Sequence, residues 1–167
     1  MSIHIPPPVL AAAAFGVQVA LTRKSTATRG FLLGATAVGA ASVWLGLGAL
    51  ARFIKHDTTF DPVTPGATYL VTSGPNRLTR NPMYLGLAGM LTSFAVWRRS
   101  PRALIPVALF VVAINRMQIP GEESVLRERF GDEYESYVAT TPRWLWVAPA
   151  WLARTSSPSS RSSSPQP

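Results

Sequence analysis

"GFLLGATAVGAASVWLGLGALA", residues 30–51, contains no Asp, Glu, Lys or Arg along its whole length. A helix that crosses a bilayer needs about 20 predominantly apolar residues, with a working range of roughly 17 to 25. Residues 3–22 and 81–97 are equally free of charge. The composition points the same way: 14% of residues are charged and 47% hydrophobic, against roughly 25% charged in an ordinary soluble domain. The expected fold class is therefore all-α, a multi-pass transmembrane helical bundle with four spans at about 8–21, 30–53, 81–97 and 103–119. The first of these reads as a retained span, because no basic n-region or small-residue cleavage site precedes it.

Outward from these spans the chain changes character. Residues 55–80 are polar, with Pro62, Pro65, Gly66, Gly74 and Pro75 marking irregular loop, and "ATYLVTSG" (67–74) reads as a short extended or interfacial piece. "RRSPR" (98–102) turns the chain back into the fourth span, near whose end lie Asn115, Arg116 and Gln118. Polar groups at that depth commonly face a bundle interior or a cavity. After Pro120-Gly121, Leu126, Phe130 and Tyr134 recur every fourth residue, with Tyr137 and Val138 on the same side, so 121–138 is expected to be an amphipathic helix. Gly131 marks a weak point or a joint in it. Trp144, Trp146 and Trp151 suit a membrane interface. Residues 1–154 form the expected membrane domain, and 155–167 a Ser/Pro-rich tail with too little apolar surface to order itself.

Several chemistries are excluded. With no cysteine there is no disulfide, thiolate metal site or cysteine nucleophile, and two histidines without a dense ligand cluster argue against a metal. The net charge of +8 comes from bases that flank apolar segments, an arrangement suited to anionic lipid headgroups and not to nucleic acid. Ten bases fall on the face holding Arg52, Lys55, Arg77, Arg80, Arg116, Arg127, Arg129, Arg143, Arg154 and Arg161, against six in the opposite turns with Arg23, Lys24, Arg29, Arg98, Arg99 and Arg102. That bias places the polar face in the cytoplasm.

The same face gathers the chemistry. Asn81 suits a helix N-cap and Pro82 the first helical residue, so free backbone N–H groups are expected beside Arg77 and Arg80, an anion-binding edge. Six of the eight acidic residues lie between Glu122 and Glu135, and Glu122 and Glu123 follow directly on the last span. Returned across a helical hairpin, that pair forms a cation-binding edge opposite the arginines. The small residues Gly30, Gly34, Gly39, Gly46 and Gly48 allow close helix contact, with each other or with a partner.

"GPNRLTRNPMYLG" (74–86) and "PGEESVLRERFGDEYESYVATTPRW" (120–144) resemble the membrane methyltransferases grouped with isoprenylcysteine carboxyl methyltransferase and phospholipid methyltransferase. The resemblance covers roughly the C-terminal half. It implies S-adenosyl-L-methionine as cofactor and methyl transfer to a lipid-like or isoprenylcysteine-like acceptor, with membrane lipids as the setting and oligomeric state left open. It further implies cofactor contacts at Arg80, Asn81, Tyr84, Leu85, Gly86, Glu122 and Glu123, with Tyr134 and Tyr137 covering the pocket. Glu123, Arg129 and Arg116 are the expected catalytic residues, the arginines orienting an anionic acceptor. Asn81 stands where the family carries histidine, and Asn76 where it carries tyrosine. A membrane reductase related to the steroid reductases and a non-enzymatic scaffold using the glycine-rich span are the alternatives.

Overall fold

The structure, a computed structural model, describes residues 5–22, 27–55 and 69–145. The loop at 56–68, Trp146, Trp151 and the Ser/Pro-rich tail lie outside the described residues. Five α-helices follow one another: α1 (Pro7–Leu21), α2 (Arg29–Lys55), α3 (Pro82–Trp97), α4 (Leu104–Ala113) and α5 (Ile119–Thr140). Short 3-10 turns at Gly74–Arg77 and Pro101–Ala103 precede α3 and α4, and a π turn at Ile114–Gln118 joins α4 to α5. No strand occurs among the described residues, so the all-α expectation stands and residues 69–73 are irregular.

The expectation of four spans is corrected. Two helical stretches are long and apolar enough to cross a membrane, Arg29–Lys55 and the run Pro101–Thr140. At 15 and 16 residues, α1 and α3 reach only about 22 to 24 Å, short of a hydrocarbon core of about 30 Å. Their ends have local causes. Pro6 caps α1 in an extended conformation, and α3 lies between the Asn81-Pro82 start and a turn in which Arg99 takes φ 51. The fourth expected span, by contrast, does not stop at Ile119. Pro120 has no N–H and its ring crowds the preceding turn, but the π turn just before it absorbs both effects, and the helix continues into the amphipathic segment. Gly131 is the joint within that segment, with φ 48 and ψ −123 inside α5.

Helices α2 and α3 pack through a seam of small residues. A Cβ on Gly86 would lie 2.9 Å from the Ser42 carbonyl oxygen and 3.2 Å from the Gly46 nitrogen, and one on Gly89 would collide with the Ser42 hydroxyl. Ser93 donates to the Ala35 carbonyl across the same seam at 2.7 Å. On the other side of α3, Gln18 of α1 is fully buried and donates to the carbonyls of Leu91 (2.9 Å) and Ala103 (2.8 Å). Leu91, Phe110, Ile114 and Ile119 form the core between α1, α3 and the α4–α5 run. A second cluster of Leu70, Tyr134 and Tyr137, with Leu126 and Phe130 beside it, sits at the polar end. The outward surface is apolar: Leu33, Leu47 and Leu109 are 72%, 61% and 65% exposed. Such a surface fits contact with lipid.

Candidate active site

The polar end is organised by one buried carboxylate. Glu123, on the first part of α5, is 4% exposed. Its Oε1 accepts from Arg80 Nη2 at 2.9 Å and from Arg143 Nε at 3.0 Å, and its Oε2 accepts from Arg143 Nη2 at 2.6 Å. Arg143 thus grips both oxygens in a fork, the geometry that makes guanidinium–carboxylate pairs strong. The hydrogen bond to Glu123 raises the Arg143 guanidinium above its ordinary range, against the opposing effect of burial. Arg80 and Glu123, put on opposite edges from the sequence, are therefore paired with each other, while Arg77 is exposed and takes no part in the pair.

A strap at residues 141–145 completes the closure. Arg80 donates through Nη1 to the Thr141 carbonyl at 2.6 Å and through its backbone N–H to the Pro142 carbonyl at 2.8 Å. The Thr79 hydroxyl and the Asn81 side-chain amide both donate to the Arg143 carbonyl, at 2.7 and 3.1 Å. Asn81 occupies the N-cap position of α3, yet its side chain makes no capping bond. It ties down the strap instead. Asn115, turned inward by the π turn, accepts from Arg143 Nη1 and Trp144 Nε1 at 3.3 and 3.1 Å. Trp144 is thereby packed against the core cluster.

Glu122 is placed differently from its neighbour. Its Oε1 accepts from the Tyr84 hydroxyl and, at 2.8 Å, from Gln118 Nε2. It lies where two cavities meet. One, about 90 Å³, is walled by the aromatic cluster of Tyr134 and Tyr137 under α5; the other, about 410 Å³, runs along the start of α3 past Tyr84 to the prolines that begin α1. Phe53, Asn76, Arg80, Asn81 and Glu122 line both. The larger falls within the roughly 300–1,000 Å³ of small-molecule sites. Two buried polar atoms on the shared wall have no hydrogen-bond partner: the acceptor Asn76 Oδ1 and the donor Arg80 Nε. Buried polar atoms are normally paired, so this pair points to a ligand with a complementary donor and acceptor.

Of the residues singled out in the sequence, Arg80, Asn81, Tyr84, Glu122, Glu123, Tyr134 and Tyr137 converge on this end of the bundle. Leu85 and Gly86 line neither cavity, and Gly86 faces α2. Arg116, Arg129 and Arg77 are exposed and also line neither. Sequence reasoning missed the pairing of Arg143 with Glu123 and the placing of Phe53 and Asn76 in the cavity walls. The Thr141-Pro142-Arg143 stop at the end of α5 was the available signal for Arg143. Gly74, at φ 65, starts the 3-10 turn that buries Asn76 while leaving Arg77 outside.

No solved structure matches the chain. An uncharacterized protein from Haemophilus influenzae is 40% identical over 63 residues, which are 38% of this chain and the whole of that protein. The profile of the family described as phospholipid methyltransferase matches residues 29–133, well over half of the chain. The reductase and scaffold alternatives give way to it, and the glycines that motivated the scaffold supply an internal seam with α3. Two long apolar helices accord with the membrane association of such enzymes. The chain belongs to the phospholipid methyltransferase family, whose members carry out S-adenosylmethionine-dependent methyl transfer to lipid-like acceptors.

Proposed function

We propose that the two joined cavities at the start of α3 are the cofactor site and that the acceptor is methylated beside Glu122. The observation that carries this reading is the orphaned pair on their shared wall, Asn76 Oδ1 and Arg80 Nε. An α-amino acid end presents an ammonium donor and a carboxylate acceptor, which complement that pair. S-adenosylmethionine held there would supply an electrophilic sulfonium methyl group for an acceptor lone pair, both electrons of the S–CH3 bond staying with sulfur. Glu122, held by Tyr84 and Gln118, would present a preoriented carboxylate to the bound cation and take the proton released by the acceptor. Preorganised charge of this kind and alignment of the reactants supply most of the acceleration. Asn81, Tyr134 and Tyr137 wall the cofactor, and Leu85 and Gly86 support it by packing α3. Glu123 positions Arg80. Arg116 and Arg129, on the outer side of the same helical run, meet an anionic group of the acceptor such as a lipid phosphate.

Saturable binding of labelled S-adenosylmethionine to the detergent-solubilised chain tests the assignment. Glu122→Gln is expected to weaken it about tenfold, or about 1.4 kcal/mol. No saturable binding by the unaltered chain overturns it. The site faces the cytoplasm in this reading, supported by the bases around Arg52, Lys55 and Arg77. Because the chain has no cysteine, single cysteines introduced at Lys55 and Arg29, the two ends of α2, report the orientation: in intact cells an impermeant thiol reagent should label the second and spare the first.

A further inference from the structure

Two glycines dock the 3-10 turn at Gly74–Arg77 on the last part of α2. A Cβ on Gly48 would lie 3.0 Å from Pro75 Cγ, and one on Gly74 would lie 3.0 Å from Arg52 Nε and 3.6 Å from Arg52 Cζ. Gly48 and Arg52 are four residues apart on α2 and so share one helical face. Gly74, at φ 65, leaves the room in which the Arg52 guanidinium lies against the turn. From α5 the Tyr137 hydroxyl donates to the Asn76 carbonyl at 2.6 Å and fixes the same turn.

The guanidinium placed there has no counter-charge. Among the described residues Arg52, Lys55 and Arg77 make no ion pair. Lys55 stands one turn beyond Arg52 on α2, Arg77 closes the docked turn, and both are exposed. Ser73, immediately before Gly74, has a buried hydroxyl without a hydrogen-bond partner, where such groups are normally paired. The carbonyl end of α2 favours bases in its last turn, but it leaves the donors of Arg52 unfilled. None of Arg52, Lys55, Ser73 and Arg77 lines the two joined cavities.

We propose that Arg52, Ser73 and Arg77 bind a phosphate group, with Lys55 adding charge, at a site separate from those cavities. A guanidinium suits two phosphate oxygens and a hydroxyl can donate to a third. Arg52 lies in the last turn of a helix long enough to cross a membrane, so the phosphate of a lipid headgroup reaches it; soluble phosphate meets the same donors from water. Three unpaired bases disfavour a headgroup that also carries a cation, which makes an anionic phospholipid the preferred lipid. Phe53 and Asn76, which line both cavities, belong to the same two docked elements, so an occupied site steadies that wall.

The test involves no cofactor. The full chain in neutral detergent is titrated with phosphatidylglycerol or phosphatidylcholine, and retained lipid is counted by native mass spectrometry. A parallel series uses inorganic phosphate, with hydrogen exchange at residues 73–77 followed in both. One phosphatidylglycerol should be retained in preference to phosphatidylcholine and should slow that exchange. Arg52→Gln and Arg77→Gln should each weaken retention about fivefold, whereas Arg102→Gln, an equal loss of charge at the far end of α3, should leave it unchanged. Because Arg52 has no ion-pair partner to lose, the melting temperature of Arg52→Gln without added anion should stay close to that of the unaltered chain, which separates loss of the site from loss of the fold. Slowing by inorganic phosphate alone, abolished in Arg52→Gln, supports the site with soluble phosphate as its occupant. Equal retention of the two lipids with no response to inorganic phosphate, or binding that Arg52→Gln and Arg102→Gln weaken alike, overturns the inference.

Discussion

Adjacent glutamates with identical side chains do different things here. Glu123 is hydrogen-bonded by the guanidinium groups of Arg80 and Arg143, with that of Arg127 at 3.8 Å, and its removal leaves Arg80, whose side chain is 10% exposed, without its counter-charge. Breaking a buried pair costs roughly 3–5 kcal/mol; because Arg143 retains 34% exposure, Glu123→Gln should cost about 3 kcal/mol, at the low end. Thermal denaturation in detergent measures it. Glu122→Gln removes a charge from a carboxylate that faces the cavities, so its melt should stay within about 1 kcal/mol of the unaltered chain while cofactor binding weakens. Equal melting losses in the two variants would refute this division of roles. Asn76→Leu is a sharper case. It deletes an acceptor that has no partner in the folded chain, so stability should hold or rise while cofactor affinity drops about tenfold.

At the scale of elements, the α2–α3 seam and the joint in α5 carry separate expectations. Gly86 has no room for a side chain, because the obstructing atoms are α2 backbone and cannot rotate away. Gly86→Val should therefore destabilise by about 1–3 kcal/mol through overpacking, seen as a lower melting temperature, whereas Gly30→Val, with nothing within 4 Å of its added Cβ, should leave it unchanged. Gly131 holds a left-handed φ of 48, and Gly131→Ala should cost about 1–3 kcal/mol of backbone strain and loosen the Tyr134–Tyr137 cover. The apolar runs were legible as helices, since length without charge is a direct physical signal. Helix ends were harder to read. Pro120-Gly121 has the look of a break, and only the five-residue π turn just before it lets the helix continue; nothing in the pattern of "INRMQ" announces a change of hydrogen-bond register.

On the scale of the whole molecule, the closure of the site depends on pieces far apart in the chain. Arg80 reaches carbonyls 58 and 61 residues away, and Thr79 one 64 residues away. Residue types alone put Arg80 and the glutamate pair on one polar face, because charges at the ends of apolar runs must share it, whereas Tyr84 came from the family resemblance. They did not reveal that Arg80 and Glu123 spend their charge on each other, which depends on where the strap at 141–145 lies. Arg143 is the strap's only side chain bound to Glu123 among the described residues. Regions of a protein open in cooperative units with their own free energies, and among the described residues no hydrogen bond joins the small-residue seam to this latch. Arg143→Ala should therefore speed hydrogen exchange at residues 76–81 and 137–144 together, while amides of α2 and of α3 beyond Gly86 keep their protection. Uniform acceleration across α2 and α3 would show that the latch holds the whole bundle. Unchanged exchange at 76–81 would show that Glu123 and Arg80 hold that end without the strap.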